Sequence, residues 1–538
     1  MNDQGGTAVE FRMQKNAALP RLAWCARIER GSDIVTVEHG PWVESQDDFF
    51  FEGAWAGPYD RRGLLGAEAV LGSGGGLSKD QVVFIPSSHT MERLHFCRDC
   101  DRLFVSNSFV YLLTVLEDGP DPMHAEYESE FLTILKGYHR ARQWVPTARR
   151  RRIQLQYYRR LSVDRNLHMR MDLPPSLPHF RTYEDYMGHL EATAQQVLGN
   201  ANDSRRSITY APLVTVSTGY DSPACAVIAR KCGGTQAVTF CSARMEFNEA
   251  TPQNTNDDGG KIGRQLGFSV AEFDRSHYLE REDAPEAEFL ATGNGGDDVV
   301  MSVLAEQLPG TVLFTGFRGD TIWDFAPQAI ADSTQFKSKD PSGASLGEFR
   351  LRLGFIHAPL PVLMMPRHDE ILKISQSPEM APWRLGNDYD RPIPRRLVES
   401  AGIDRQAFGQ EKKAITQPFW VTLDNDGMFS AASRQALLAF SRELDSRNRR
   451  SVRYRLRCAW ASLYLWIVWR GNVVADRLGL RVPLRMPISL RLLVSQTGYK
   501  FHWAVAQIRD RYRPAMLGRE DTAPVSAVAP SAHGVASE

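Results

Sequence analysis

At 538 residues, 43% hydrophobic and 24% charged, the chain has the length and composition of two to four globular domains. Its 64 basic residues balance 64 acidic ones, which argues against nucleic-acid binding driven by bulk charge. Seven cysteines over this length do not make a disulfide scaffold, and the single CxxC, Cys97 and Cys100, lacks the second ligand pair of a structural zinc site.

Residues 1–20 read as a tail without the continuous apolar stretch of a signal peptide. Residues 21–172 hold short strand-like runs, "DIVTVEHG", "DDFFFEGAWAG", "QVVFIPSS" and "RLFVSNSFVYLL", separated by turn residues. "GSGGGLS", Gly72 to Ser78, reads as a flexible loop without the ending of a Walker phosphate loop. "ARRRRIQLQYYRR" reads as a solvated basic strand or loop. Past Pro174 the texture changes. "TYEDYMGHLEATAQQVLGN" predicts a helix capped by Thr182, with Asp185 closing a capping box and Gly199 ending it. Its buried face should hold Met187, Leu190, Ala194 and Val197. Strands then alternate with helices, the pattern of a parallel α/β sheet. Cys458 to Trp469, "CAWASLYLWIVW", is too short to span a bilayer and reads as a buried helix. Its four aromatic residues between Arg457 and Arg470 leave a membrane-surface contact as the other reading. Residues 517–538 read as a second tail.

The densest chemistry lies in "PLVTVSTGYDSPACAVIARKCGG", Pro212 to Gly234. A β-branched run leads into Ser217, Thr218, Gly219, Tyr220, Asp221 and Ser222, and Ser222-Pro223 looks like a helix start. A hydroxyl-rich loop at a helix N-terminus offers free N–H groups to an anion, and Gly219 lets the backbone come close. Asp221 would repel a phosphate unless a Mg²⁺ lay between them.

"STGYDS" resembles the SGGxDS pyrophosphate loop of the N-type ATP pyrophosphatases, with Thr218 in place of the second glycine. Within that group the chain is similar to the asparagine synthetases. "TVLFTGFRGDTIWD" resembles that family's strand and G-x-G-x-D-E loop, with Gly316 and Asp320 on its first glycine and its aspartate. "EKKAITQP" resembles the family's late lysine motif, and Lys412 stands six residues before Pro418. The resemblance spans about 180 to 420.

It implies a HUP-like, adenine nucleotide α-hydrolase-like parallel-sheet domain over 180–515. A degenerate Ntn-type glutaminase-like sandwich over 21–172 would precede it. The implied cofactors are ATP and Mg²⁺. Residues 217–222 and Gly316 would hold the pyrophosphate, and Asp221 and Asp320 the metal. The strand end around Phe240 would cradle adenine and ribose, and Lys412 would stabilise the developing charge. The implied activity is adenylation of a carboxylate and its transfer to an amine, with small-molecule or peptide substrates. No nucleic-acid partner or transmembrane segment is expected. A cytoplasmic location and a homodimer are.

Phe317 and Thr321 stand where the family carries proton-handling or acidic residues. A non-catalytic nucleotide-binding relative is therefore the second reading, and ATP-dependent thiolation a third. The glutaminase nucleophile is absent as translated, because Asn2 follows Met1, as in β-lactam synthetases and lasso-peptide cyclases. Cys25 lies where a first strand would begin and reads as an ordinary strand cysteine. The acidic pair Asp297 and Asp298 in "GNGGDDVV" would suit a cationic partner.

Overall fold

The computed structural model describes residues 9–242, 256–325, 337–338, 340–387, 389–410, 429–477 and 496–517. Residues up to Asp172 form a seven-stranded and a six-stranded sheet. The sheets share one apolar cluster, in which Trp24, Ile28 and Val105 of the first meet Phe50, Phe84 and Leu161 of the second. Face-to-face burial of that kind is what makes two half-apolar sheets stable.

Three local expectations change here. Glu10–Lys15, inside the expected tail, is a strand paired in parallel with Ile34–His39. The glycine-rich run lies in a strand too, Val70–Ser78, paired with Phe49–Trp55 and Gln81–Ile85. Its glycines leave room for aromatic rings: a Cβ on Gly74 would sit 2.7 Å from the Phe51 ring, and one on Gly75 2.9 Å from the Phe50 ring. "RLFVSNSFVYLL" divides into a strand, Arg102–Ser106, and a helix, Phe109–Val115, because the Ser108 side chain accepts the Tyr111 N–H and caps the helix.

The helix predicted past Pro174 is Tyr183–Ala201, with both halves of the Thr182–Asp185 capping box formed. It continues through Gly199 to an Asn202 cap, so that glycine does not end it. Beyond it lie five parallel strands, Ala211–Thr215, Gln236–Phe240, Ser269–Phe273, Thr311–Thr315 and Ile356–Pro359. Numbered along the chain, their order across the sheet is 3-2-1-4-5. The chain is thus a mixed α/β protein with a β-rich N-terminal region and a parallel sheet after it.

The two regions are joined by buried polar contacts as well as apolar ones. Arg350, on the helix Gly347–Leu353, grips Glu52 through two hydrogen bonds of 2.6 and 2.9 Å. Its Nε lies 2.6 Å from Glu92. Burial opposes this charge, but the Glu52 and Glu92 carboxylates outweigh it and hold the guanidinium above the usual arginine range. At the far end of the chain Glu38 accepts the N–H groups of Met516 and Leu517, and Leu517 is buried.

Val452–Arg477 is a 26-residue helix containing the aromatic run expected to be buried. Most of that run is exposed instead, with Trp460 58% and Trp466 54% accessible. Among the described residues of the helix, Tyr454, Ala461 and Val468 are the buried ones, seven residues apart and so on one narrow stripe. No helix among the described residues is long and apolar enough to cross a membrane.

Candidate functional site

In a 3-2-1-4-5 sheet the connections turn opposite ways on leaving strands 1 and 4, which opens a crevice at their carboxyl ends. Residues 217–220 follow the first strand, and residues 316–318 follow the fourth. Both loops therefore converge on that crevice.

The first loop feeds the helix Asp221–Lys231, whose inner face from Pro223 to Ala229 is buried. The helix ends in a Schellman turn: the Gly233 N–H reaches Arg230 O and the Gly234 N–H reaches Ala229 O, with Gly233 at φ +86°. Asp221 takes the first helical position, where its charge complements the helix dipole. The cap is Tyr220, without a side-chain hydrogen bond, and not Ser222. Ser222 Oγ instead lies 2.8 Å from Ser217 Oγ, tying the two ends of the loop.

Gly316 and Gly319 press on Asp221. A Cβ on Gly316 would lie 2.5 Å from the Asp221 carbonyl carbon, and one on Gly319 2.5 Å from its Cγ. Only glycine fits at either position. Asp320, next to Gly319 in the first turn of a four-residue helix, is thereby brought beside Asp221. Eight residues singled out from the sequence are gathered here: Ser217, Thr218, Gly219, Tyr220, Asp221, Ser222, Gly316 and Asp320.

Three further residues join the site. Asp257 Oδ1 accepts from Thr218 N–H at 3.1 Å and from Thr218 Oγ1 at 2.8 Å. Tyr389 packs against Tyr220 with ring centroids 4.9 Å apart and planes tilted by 52°, and a Cβ on Gly219 would be 4.0 Å from its hydroxyl. Burial pushes the Tyr389 phenol up, and the charges of Asp221 and Asp320 push it further. Arg318, between the two glycines, is fully buried at φ +58° and donates to Thr90 at 3.2 Å. Burial pushes its guanidinium down, while Asp340, Asp298 and Asp320 draw it back. Arg318 stood in view inside "TGFRGD". Tyr389 and Asp257 carry no local signal, because their place depends on distant segments.

Several expectations need correction. The loop N–H groups are not all free: Thr218 donates to Asp257, and Gly219 donates to Ser217 Oγ at 3.2 Å. A phosphate would have to take over these donors. The Tyr220 side chain points into the core, where its hydroxyl accepts from Arg395 at 2.7 Å and its ring faces Gly409. It supports the loop and does not present its hydroxyl to a ligand. Phe240 is 5% exposed and belongs to the apolar core, so its ring does not line the crevice. Asp297 and Asp298 are buried, not offered to a cationic partner. Asp298 accepts from the N–H groups of Gly343 and Ser345 and from Ser345 Oγ, pinning that segment. Lys412 lies outside the described residues.

Carboxylates on two loops that meet suit a Mg²⁺, which commonly binds one or two carboxylates and completes its shell with water and phosphate oxygens. Among the described residues no group of three or more His, Cys, Asp or Glu could hold a metal by itself. Asp221 and Asp320 would hold Mg²⁺ together with a polyphosphate. The metal would supply charge neutralisation there.

Cys25 is a buried cysteine. It sits in the strand Trp24–Glu29, paired on both sides, and burial pushes its thiol well above the ordinary range. In a maleimide time course, the exposed Cys100 and Cys241 are expected to react in the native protein, and Cys25 and Cys225 only after denaturation. Rapid native labelling of Cys25 would contradict the burial. Any glutamate released from glutamine is likewise expected to be unchanged in Cys25→Ala.

Compared with known proteins, the chain matches no protein-family model and no curated relative.

Proposed function

We propose that the protein is an ATP-dependent carbon–nitrogen ligase of the asparagine synthetase type that has no working glutaminase of its own. A substrate carboxylate oxygen attacks the α-phosphorus of ATP, and pyrophosphate leaves. An amine then attacks the acyl carbon of the adenylate, and AMP departs. On this reading the parallel-sheet region is HUP-like and the N-terminal sandwich a degenerate glutaminase-like domain.

The observation that carries the reading is the meeting of Asp221 with Gly316 and Gly319 at the strand 1–4 switch point, which brings the loop that bears Asp320 against a helix N-terminus that bears Asp221. Ser217, Thr218 and Ser222 hydroxyls border the same loop and suit phosphate oxygens. The substrates would be a small-molecule or peptide carboxylate and an amine.

A second reading, nucleotide binding without chemistry, is favoured by the internally bonded loop N–H groups and by Phe317, which packs on His357 at 5.6 Å and cannot move a proton. ATP–pyrophosphate exchange with a panel of carboxylic acids separates the two. Acid-dependent exchange is expected for the ligase. ATP binding without exchange for any acid would favour the second reading.

A further inference from the structure

Among the described residues, eleven large hydrophobic side chains are exposed, and eight of them lie on the one helix Val452–Arg477. Scattered exposed apolar residues are ordinary, but a contiguous set marks a contact surface. Leu456, Trp460, Leu463 and Ile467 follow one another at helical spacing of three or four, so they form a single stripe. That stripe is opposite the buried Tyr454, Ala461 and Val468, of which Tyr454 and Ala461 seat the helix against Ala125 and Met123. Arg457 fixes the seat by donating to Met123 O at 2.8 Å and pairing with Glu126. The helix is therefore held by one edge, with its tryptophans outward. By contrast Trp24, Trp55, Trp323 and Trp503 are fully buried.

Charge says what covers this face. The whole chain is neutral, yet from Ser446 to Arg509 thirteen Arg and Lys residues stand against one acidic residue, Asp476. Arg455 and Arg470 are exposed beside the stripe, and the Arg470 guanidinium lies over the Trp466 and Trp469 rings at 5.6 and 5.2 Å. A second copy would bring the same positive face against itself, which opposes pairing. Arg449, Arg457 and Lys500 are paired with Asp445, Glu126 and Glu128, but tryptophans at the polar–apolar boundary, aliphatic side chains and the exposed Arg455 and Arg470 fit an anionic bilayer surface. At 26 residues the helix is about 39 Å long and could lie flat along that surface.

We propose that the Val452–Arg477 helix docks the protein peripherally on anionic lipid membranes, with its exposed apolar stripe and tryptophans at the headgroup boundary and Arg455 and Arg470 on lipid phosphates. The inference does not depend on the ligase reading.

The test is flotation of the full-length protein with vesicles of phosphatidylcholine alone or mixed with phosphatidylglycerol. The protein is expected to float with the mixed vesicles, with a blue shift of tryptophan emission, and to bind neutral vesicles far less. Because the side chains are exposed, a Trp460→Ser/Trp466→Ser/Ile467→Ser variant should fold normally and lose at least tenfold in vesicle affinity. Arg455→Gln and Arg470→Gln should each weaken binding to mixed vesicles about fivefold, an effect that shrinks as salt is raised. Circular dichroism of each variant separates lost docking from lost folding. Failure to float with mixed vesicles, or flotation unaffected by the triple variant, would overturn the proposal. So would a dimer in solution that the triple variant dissociates without any vesicle binding, or a preference for nucleic acid over vesicles that ignores the tryptophans.

Discussion

Arg350→Met is expected to destabilise the protein by about 3–5 kcal/mol, the range for breaking a buried ion pair by removing one partner. Glu52 is fully buried and accepts four hydrogen bonds: two from Arg350, one from Ser73 at 2.8 Å and one from Asn107 at 3.2 Å. Methionine matches much of the arginine volume, so the loss is electrostatic and not a cavity. The remaining neutral donors cannot replace a cation, and Glu92 loses its cationic partner, keeping only Ser87 Oγ among the described residues. Glu52→Gln/Arg350→Met should recover part of the loss, because no charge is then stranded at position 52. Chemical denaturation followed by fluorescence measures both. A cost under about 1 kcal/mol for the single variant would mean that the pair is not desolvated as described. The pair also joins the two regions, so its loss should expose the N-terminal sandwich to limited proteolysis first.

Asp221→Ala is expected to weaken Mg·ATP binding tenfold or more, about 1.4 kcal/mol. Asp221 meets the second loop through Gly316 and Gly319, and losing its carboxylate removes half of the two-aspartate set. Asp320→Ala should weaken binding in the same direction. Since both act on one metal, the double variant should lose less than the two single losses combined. Gly319→Ala tests the geometry separately, because it keeps both carboxylates but drives a Cβ to 2.5 Å from Asp221 Cγ. Titration calorimetry with ATP, with and without Mg²⁺, reads all four. Unchanged affinity in Asp221→Ala would move the nucleotide elsewhere, and equal affinity with and without Mg²⁺ would remove the metal from the site.

Local signals in the sequence determined a good part of this protein. The Thr182 capping box, the β-branched run into the 217–222 loop and the glycines after Lys231 each act over a few residues, and each formed its element. Alternation of strand and helix predicted a parallel sheet for the same reason. The tertiary structure alone decided the rest. Strand order depends on pairings between segments as far apart as Ala211 and Thr311, and it is this order that brings Asp221 to Gly316 and Gly319. Glycine-rich composition read as a loop at residues 72–78, yet the Phe50 and Phe51 rings from a neighbouring strand make it part of a sheet. Asp298 reads as a charged surface residue until Gly343 and Ser345 supply its hydrogen bonds. Tyr220 reads as a ligand group until Arg395, far along the chain, takes its hydroxyl. The Val452–Arg477 helix reads as core because hydrophobic residues usually find partners, but burial is a property of what packs against a surface. Tyr454 and Ala461, on its Met123 side, receive that cover, while Trp460 and Trp466 do not.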